Sequence, residues 1–386
     1  MGEVKNLPEV RFKGFSETWV EKYIHEIANR YDNLRIPISA SNRVPGSTPY
    51  YGANGIQGYI DGYTHDGEFI LLAEDGANDL KNYPVIHVNG KVWVNNHAHV
   101  LQGIEGKLNN LFLKSTFSKV NFGPFLVGGG RAKLNAEVMM GINLNIPQST
   151  AEQTQIGTFF KNLDNQITLK QRKLDKLVTL KKAMLEKMFP KEGADEPEIR
   201  FKGFTGAWLD KSFGQMATFF NGRAYKQEEL LSTGKYRVLR VGNFFSNNQW
   251  YFSDLELESN KYCDNGDLLY AWSASFGPRI WHGEKVIYHY HIWKVVENDG
   301  IDRQFLHLLL DFETENMKSN SANGMGLLHI TKGTIEGWEC SYPENIGEQK
   351  AIGFYFKKLD DLISLQKTEL TKLKQIKSSC LEKMFV

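Results

Sequence analysis

The feature that most constrains this chain is a 38-residue segment that occurs twice. EQTQIGTFFKNLDNQITLKQRKLDKLVTLKKAMLEKMF runs from residue 152 to 189, and EQKAIGFYFKKLDDLISLQKTELTKLKQIKSSCLEKMF runs from 348 to 385. Counted position by position, 19 of the 38 residues are identical. A pentapeptide, RFKGF, also occurs twice, at 11–15 and at 200–204. These repeats indicate an internal duplication, so we expect two copies of one structural unit.

Each repeated segment carries apolar residues spaced three and four positions apart, the period of one helix face. In the first copy they are Ile156, Phe160, Leu163, Ile167, Leu174, Leu177, Met184 and Met188, and the second copy repeats them as Ile352, Phe356, Leu359, Ile363, Leu370, Leu373, Cys380 and Met384. The spacing predicts two helices of roughly 57 Å, at 1.5 Å per residue, that pair along their length as a coiled coil. Pro190 would end the first helix. A long helix that packs only on its own domain is the alternative.

The segments between the repeats differ almost completely from each other and carry strand and turn patterns with little helical pattern. VIHVNGKVWV at 85–94 alternates apolar and polar residues around Asn89-Gly90, which predicts a β-hairpin. RIWHGEKVIYHYHIWKVV at 279–296 predicts a second hairpin around His282-Gly283. The predicted fold class is therefore α+β, in the order mixed domain, long helix, linker, mixed domain, long helix.

Length and composition agree with two domains. The chain has 386 residues, of which 41% are apolar, more than one typical core requires. We place the mixed domains at 1–148 and 199–344, the helices at 149–190 and 345–386, and the linker at 191–198. Cys263, Cys340 and Cys380 are too widely spaced for a zinc ribbon or a disulfide framework. Without a signal-peptide pattern or a long apolar run, a cytoplasmic protein with no membrane span is expected.

Few residues suggest catalysis. The sequence has no phosphate-binding loop, no glycine-rich cofactor turn and no NPPY-type methylation motif. Glu74 and Asp75 are the best candidates for acid and base work. Their counterparts in the second copy, aligned by sequence, are Ser273 and Ala274, so the duplication did not keep them. A turn or loop contact is the expected role of both carboxylates.

Two histidine pairs raise the question of a metal site. His97 with His99, and His289 with His291, lie at strand spacing, which places both rings of a pair on one face. A third ligand at suitable spacing is missing from both. We therefore expect these histidines to pack or hydrogen-bond within a sheet.

Polar, aromatic and basic side chains cluster in the loops of both variable segments. Arg and Lys pair with guanine edges or phosphates, Asn and Gln pair with adenine edges, and Tyr contacts phosphates or stacks on bases. The candidate DNA contacts are Arg35, Arg43, Tyr50, Tyr51, Asn54 and Gln57 in the first segment, and Asn221, Arg223, Tyr225, Lys226, Arg237, Arg240 and Asn243 in the second. Ordinary solvated loops carry the same residue types. The repeated segments are basic, at +4 (8 − 4) and +3 (8 − 5), which a solvated helix face also explains.

The order of these elements resembles the specificity (S) subunit of type I restriction-modification systems. The likeness is carried by LPEVRFKGF (7–15), PEIRFKGF (197–204), GSTPYYGANGI (46–56), GRAYKQEEL (222–230), VLRVGN (238–243), GDLLYAWSASFG (266–277), YHYHIWKVV (288–296), RAKLNAEVM (131–139), LLHITKGTIE (327–336) and the two EQ…LEKMF helices. Together these motifs cover nearly the whole chain.

The resemblance implies a fold and a function. Each variable domain would be a target recognition domain that reads one half of a bipartite, asymmetric sequence in double-stranded DNA. The two helices would pair as an antiparallel coiled coil with pseudo-two-fold symmetry and space the half-sites. Two methyltransferase (M) subunits would methylate adenine N6, and two restriction (R) subunits would cut. S-adenosylmethionine, ATP and Mg would belong to those partners, so this chain would need no cofactor, metal or catalytic residue.

Two other functions remain open on the residues alone. A bilobed enzyme would have an active site between duplicated domains and would use Glu74 and Asp75, although no second catalytic constellation accompanies them. A coiled-coil scaffold that binds only protein would explain the helices, but it would leave two diverged, loop-rich domains unexplained.

Overall fold

The computed structural model describes residues 7–128, 132–191, 193–245, 247–273, 277–320 and 330–386. Parts of three of the motifs, at 131, 274–276 and 327–329, and with them Ala274, lie outside the described residues. The chain divides into two compact units. Unit 1 is Met1–Arg172 with Lys367–Val386, and unit 2 is Lys173–Gln366. Each unit therefore contains one variable segment and a part of both repeated segments.

Unit 1 is built from a mixed sheet, short helices and long-helix segments. Its strands are β1 Val20–Tyr23, β2 Ala28–Arg30, β3 Pro45–Gly52, β4 Gly55–Ile60, β5 His65–Ala73, β6 Val85–Val94, β7 Ala98–Gly103, β8 Leu126–Val127, β9 Lys133–Leu134 and β10 Asn143–Ile146. Its helices are α1 Ile24–Ile27, α2 Asn110–Phe117, α3 Ala136–Met140 and the first part of α4 Thr150–Met188. Three short 3₁₀ helices lie at Asp32–Leu34, Ala40–Asn42 and Gly123–Phe125.

A six-stranded sheet in the order β2-β7-β5-β6-β3-β4 forms the body of unit 1. The β3/β6 pairing is parallel and the other pairings are antiparallel. Strand β5 is buried on both faces, since Ile70 and Leu72 join one apolar cluster and Phe69 and Leu71 join another. This two-sided burial explains why the strand is a continuous apolar run rather than an alternating one.

The hairpin predicted at Asn89-Gly90 is wrong. Residues 85–94 form one continuous strand, β6, which pairs antiparallel with β5 along most of its length. Gly90, at φ +92°, lies directly opposite Gly67, at φ +146°. Glycine adopts positive φ angles without steric cost, so these two positions can remain paired within the sheet. The strand therefore continues through Asn89-Gly90, a dipeptide that is typical of hairpin turns.

Unit 2 contains two four-stranded sheets and a helical layer. Its strands are β11 Leu209–Ser212, β12 Ala217–Asn221, β13 Tyr236–Leu239, β14 Tyr251–Ser253, β15 Tyr262–Cys263, β16 Leu268–Ala271, β17 Gly277–Ile280, β18 Val286–Tyr288, β19 Ile292–Glu297 and β20 Glu339–Tyr342. Its helices are α5 Phe213–Met216, α6 Val241–Phe245, α7 Arg303–Asn320, α8 Lys332–Glu336 and the first part of α9 Ile346–Lys383. Two 3₁₀ helices lie at Gln227–Glu229 and Ser259–Lys261.

The sheets of unit 2 have the orders β12-β19-β16-β17 and β14-β13-β18-β15. The hairpin predicted around His282-Gly283 is therefore wrong, because β17 and β18 belong to different sheets. Strand β18 is fully buried, and its partners β13 and β15 cover it on both edges. The expectation of little helix is also wrong for residues 303–320, where buried Phe305, Leu306 and Leu309 form the apolar face of α7.

The two long helices pair antiparallel, as predicted. In unit 1, Lys377 contacts Asp164 at 2.7 Å and Lys170 contacts Glu369 at 2.6 Å, so residue numbers rise along α4 as they fall along α9. In unit 2, Lys181 contacts Asp360 at 2.7 Å. The alternative of a helix confined to its own domain is wrong, since both helices contribute to the core of each unit.

The ion pairs also follow the duplication. Asp360 is the counterpart of Asp164, and Lys377 is the counterpart of Lys181, both at an offset of 196 residues. The same two positions therefore pair in each unit with their helices interchanged, the contact pattern that pseudo-two-fold symmetry predicts. Among the described residues, no helix is long and apolar enough to cross a membrane.

Candidate nucleic-acid interface

Arg35, predicted to contact DNA, lies largely buried in a network of protein contacts. Its guanidinium donates to the Glu74 carboxylate at 2.6 Å and to the Ala98 carbonyl at 2.8 Å. The same side chain also donates to the backbone of Asp32 at 3.0 Å. Its hydrogen-bonding capacity is therefore largely used within the protein.

Asp32, Glu74 and His99 are close enough together to hold a metal ion. The two carboxylates are, however, already paired with the cations Arg35 and Lys133. His99 bonds Asp32 at 2.7 Å, and Lys133 contacts Glu74 at 3.0 Å. Although burial acts to raise it, hydrogen bonds from Arg35 and Lys133 hold the pKa of Glu74 below its ordinary value. A carboxylate held ionised in this way is a poor proton donor, which disfavours the acid and base role considered for Glu74.

The histidines of unit 1 have the protein contacts expected of them. The second ring nitrogen of His99, Nε2, bonds the carbonyl of Leu134 at 2.8 Å. His97 bonds the carboxylate of Asp75 at 2.5 Å. Both rings therefore help to hold the loops that surround the start of β7.

The remaining candidates of unit 1 range from buried to exposed. The guanidinium of Arg43 lies 4.0 Å above the ring of Tyr50, which is itself buried. Tyr51 is half-buried in β3, and burial raises its pKa. Asn54 is exposed, and its side-chain amide donates a hydrogen bond of 2.9 Å to the carbonyl of Gly76, which connects two loops. Gln57 is exposed and accepts a weak bond of 3.5 Å from Asn95.

Unit 2 brings several candidates together around a turn at residues 289–291, between β18 and β19. The backbone of Arg223 donates its N–H to the Tyr288 carbonyl and accepts the N–H of Tyr290, each at 3.0 Å, whereas its guanidinium pairs with Glu229 at 2.5 Å. The ring of Tyr225 stacks on His289 with the ring centres 6.3 Å apart. Within the turn, the Tyr290 ring lies 4.4 Å from that of His289 and 4.0 Å from that of His291.

Hydrogen bonds with Leu239 and Trp272 hold the 289–291 turn in place from both sides. His289 donates its N–H to Leu239 at 2.9 Å, and Trp272 donates its N–H to His291 at 3.1 Å. The Trp272 indole donates a further bond of 2.7 Å to the carbonyl of Tyr290. Burial, with smaller effects of His291 and Arg240, lowers the pKa of His289 to about 4, so its imidazole is neutral at physiological pH.

Other candidates of unit 2 have mixed roles. Asn243 shapes the loop that follows β13, since its amide donates to Asn247 at 2.9 Å and to Gln249 at 3.0 Å. Arg240 is exposed above Tyr251, at 5.2 Å.

The last three candidates of unit 2 lie at its surface. Arg237 pairs with Glu284 at 3.1 Å, and Lys226 is exposed at the start of a 3₁₀ helix. Asn221 borders a cavity of about 450 Å³ with Trp272 and Trp293. The structure thus places Arg223, Tyr225 and Arg240 beside one turn and leaves Asn221, Lys226 and Arg237 outside it.

A turn at residues 95–97 of unit 1 has the same construction as the 289–291 turn. Asn95 donates its N–H to Tyr51 at 3.0 Å, as His289 does to Leu239, and both acceptors lie on the strand that pairs parallel with the one before the turn. Glu74 donates its N–H to His97 at 2.8 Å, as Trp272 does to His291.

These contacts correct the sequence alignment by one residue. The backbone carbonyls of Glu74 and Trp272 also accept equivalent bonds, from Leu134 at 2.7 Å and from Ile330 at 2.9 Å. The structural counterpart of Glu74 is therefore Trp272, and that of Asp75 is Ser273. The alignment failed because sequence identity around these positions is too low to fix the register.

Comparisons with known proteins agree with this architecture. The family model described as type I restriction modification DNA specificity domain matches the chain twice, at residues 16–179 and 206–375. A putative type I restriction enzyme specificity subunit of Haemophilus influenzae is 47% identical over 148 residues, 38% of this chain and 37% of the relative. That match thus spans little more than a third of the relative's length.

A solved structure extends the likeness to the whole fold. The crystal structure of a type I restriction-modification system S subunit from M. genitalium has a TM-score of 0.71, covering 98% of this chain and 99% of that chain at 14% identity. At this identity the likeness concerns the fold alone, and it confirms the predicted arrangement of two mixed domains, each followed by a long helix.

Proposed function

We propose, since this chain belongs to the family of type I restriction modification DNA specificity domains, that it is the sequence-specific DNA-binding subunit of a type I restriction-modification complex. Each unit would read one half of a bipartite, asymmetric target in double-stranded DNA. The predicted boundaries at 148, 190, 198 and 344 would then separate two readers from two spacer helices.

The observation that carries this proposal is a repeated framework with two different surfaces. The framework contacts recur at equivalent positions, as with Asp164–Lys377 and Asp360–Lys181. The loops on that framework differ in residue type, since the part-buried ionic cluster around Glu74 in unit 1 has aromatic rings around Trp272 as its counterpart in unit 2. Two different surfaces on one framework suit a target whose halves have different sequences.

The long helices offer a surface for the partner subunits. Leu169 and Leu365 occupy equivalent positions and are 64% and 52% exposed, and Leu180 and Ile376 form a second exposed equivalent pair. Large apolar side chains that recur on the outer face of paired helices suit a protein partner. We assign this surface to two methyltransferase subunits, one for each copy, and expect two restriction subunits to join the complex.

The methyltransferase and restriction subunits would then catalyse methyl transfer and DNA cleavage. S-adenosylmethionine, ATP and Mg would bind the methyltransferase and restriction subunits, and this chain would act in the cytoplasm, where the DNA is. The bilobed-enzyme alternative loses its main support, because Glu74 is engaged by Arg35 and Lys133. A pure scaffold would not require the two different loop surfaces.

Methylome sequencing tests the proposal directly. A host that carries the cognate methyltransferase subunit should acquire N6-methyladenine at one bipartite motif when this chain is present and lose it when the chain is deleted. Replacing residues 20–145 with the equivalent segment of a relative should change one half of the motif. Unchanged methylation after deletion would refute the proposal, and a swap that altered both halves would refute one reader per unit.

A further inference from the structure

The two turns at 95–97 and 289–291 share a detail that isolates their middle residue. In unit 1, the side chain of Asn95 accepts the backbone N–H of His97 at 2.9 Å. In unit 2, the side chain of His289 faces the backbone N–H of His291 at 3.5 Å, in the same relation. The first and third residues therefore close each turn, and the residue between them is left exposed.

The two middle residues differ in chemistry. Asn96 is exposed in unit 1, and Tyr290 is 39% exposed in unit 2. Within the described parts of the chain, neither the Asn96 amide nor the Tyr290 hydroxyl has a hydrogen-bond partner. Each is a polar group on a backbone fixed from both sides, so little conformational entropy would be lost when it binds a ligand.

One long polar side chain flanks each turn. In unit 1, Gln57 lies 3.5 Å from the side chain of Asn95. In unit 2, Arg240 directly follows Leu239, the residue that accepts the first N–H of the turn, and its charge acts on both histidines of the turn. At the equivalent residue of unit 1, Gly52, an added Cβ would lie 2.3 Å from the side-chain amide of Gln57, so Gln57 occupies the space next to this position.

We propose that Asn96 and Tyr290 are specificity-determining residues that contact base edges, each in one half-site, with Gln57 and Arg240 beside them. The proposal rests on the function proposed above and names the element of each unit that reads DNA. Amide side chains pair with the N6 and N7 edge of adenine, so unit 1 should require an adenine at the position that Asn96 contacts. An arginine beside a tyrosine suits guanine O6 and N7, so unit 2 should require a guanine.

Substitutions at the two middle residues test this assignment. Each variant is expressed as the full chain with its cognate methyltransferase subunit in a host without other adenine methylation, and the methylome is sequenced. Asn96→Ala should relax one base position of one half-site, with discrimination reduced at least tenfold, and leave the other half intact. Tyr290→Ala should do the same in the opposite half. Tyr290→Asn, which unit 1 shows to be compatible with this turn, should replace the base preference rather than abolish methylation.

Matched controls separate the assignment from general effects. Tyr23, an exposed tyrosine whose ring stacks on that of His25, lies at the end of β1, and Asn89 is an exposed asparagine within β6. Tyr23→Ala and Asn89→Ala should leave the motif unchanged. Wild-type motifs in Asn96→Ala and Tyr290→Asn would overturn the assignment. No bipartite methylation with the wild-type chain would instead refute the proposed function.

Discussion

The guanidinium of Arg11 holds the buried carboxylate of Glu152 through two hydrogen bonds of 2.6 and 2.7 Å. Arg200 holds Glu348 in the same way, at 2.7 and 2.8 Å. Glu152 and Glu348 both lie at the start of a long helix, and the two arginines open the two RFKGF repeats. The first residue of each pentapeptide thus links the segment that precedes a variable domain to the first turn of the long helix that follows that domain.

Loss of this clamp should destabilise the unit that contains it. Glu152 is only 1% exposed, so Arg11→Met would leave a buried carboxylate without its main partner. Breaking a buried pair from one side typically costs about 3 kcal/mol or more, and we expect a loss of that size in the free energy of unfolding, measured with urea. Lys22→Met, which removes an exposed pair with Glu26, should cost less than about 0.5 kcal/mol. Equal losses in the two variants would contradict this account.

Gly157 and Gly353 should not tolerate a side chain. A Cβ at Gly157 would lie 2.6 Å from the backbone nitrogen of Phe112, and a Cβ at Gly353 would lie 2.8 Å from that of Phe305. Each glycine thus lets a long helix approach another helix of its unit closely. Gly157→Ala and Gly353→Ala should each cost about 1–3 kcal/mol of unfolding free energy.

A third helical glycine provides the control for this pair. Gly333 in α8 has open space where its Cβ would lie. Gly333→Ala should therefore stabilise the chain by up to about 1 kcal/mol, through helix propensity alone. A destabilised Gly333→Ala would show that close packing does not explain the other two positions.

The long helices could be predicted from the sequence because the spacing of their apolar residues depends on neighbouring positions only and occurs in both copies of the repeat. Their antiparallel pairing followed from the resemblance, and the structure bears it out. The hairpin at Asn89-Gly90 could not be judged locally, since only the partner strand shows that Gly67 lies opposite Gly90.

The candidate site shows the same limit. Residue type pointed to Arg35 and Asn243, whose side chains serve the protein's own loops. Residue type does not single out Tyr290, the proposed base contact, because the histidines on either side of it indicate a packed pair. The equivalence of the two turns became visible only through backbone hydrogen bonds.

Acid should destabilise unit 2 through His289. The pKa of His289 falls to about 4 in the folded chain because of burial, with smaller effects of His291 and Arg240, whereas an unperturbed histidine titrates near 6.5. The unfolded chain therefore binds this proton at a higher pH than the folded chain. The contribution of His289 to the free energy of unfolding is therefore largest above about pH 6.5 and is lost as the pH falls toward 4.

Replacing His289 should remove this dependence. Between pH 7 and pH 5 the wild-type chain should lose at most about 2 kcal/mol through this group, and His289→Gln should lose correspondingly less. Urea unfolding of unit 2, followed at both pH values, measures the difference. If the wild-type chain and His289→Gln lost the same unfolding free energy between pH 7 and pH 5, His289 would have the same pKa in the folded and the unfolded chain.

Lengthening both helices should widen the spacing of the two half-sites. Four residues inserted after Lys173 fall between the paired residues Lys170 and Lys181 of α4, and four inserted after Lys367 fall between their partners Asp360 and Glu369 of α9. They add roughly 6 Å at 1.5 Å per residue and nearly preserve the helical period. Since base pairs are about 3.4 Å apart, the methylated motif should gain one or two unspecified bases. A two-residue insertion should abolish assembly, because it turns the apolar face of each helix away from its partner. An unchanged spacer in the four-residue variant would show that the helices do not set the distance between the half-sites.

The junction between the two copies suggests how the chain could be reconnected. Ile199 donates its N–H to Lys187 at 2.8 Å, and Val10 donates its N–H to Lys383 at 2.9 Å, at equivalent positions of the two units. Seven residues, 190–196, connect Phe189 to Pro197. Joining Val386 directly to Met1 would place eight residues between Phe385 and Pro8, the equivalent positions.

A circularly permuted chain should therefore fold and keep its specificity. The variant joins Val386 to Met1 and opens the chain between Gly193 and Ala194, within the exposed linker. The Arg11–Glu152 and Arg200–Glu348 clamps remain intact, because the opened bond lies neither between residues 11 and 152 nor between residues 200 and 348. We expect an unfolding free energy within about 1 kcal/mol of wild type, since loop closure depends only weakly on loop length. With the methyltransferase subunit, the permuted chain should methylate the wild-type motif. A control opened between Lys173 and Leu174, inside α4, should lose the motif, and a permuted chain that folds yet methylates a different motif would refute the equivalence of the two junctions.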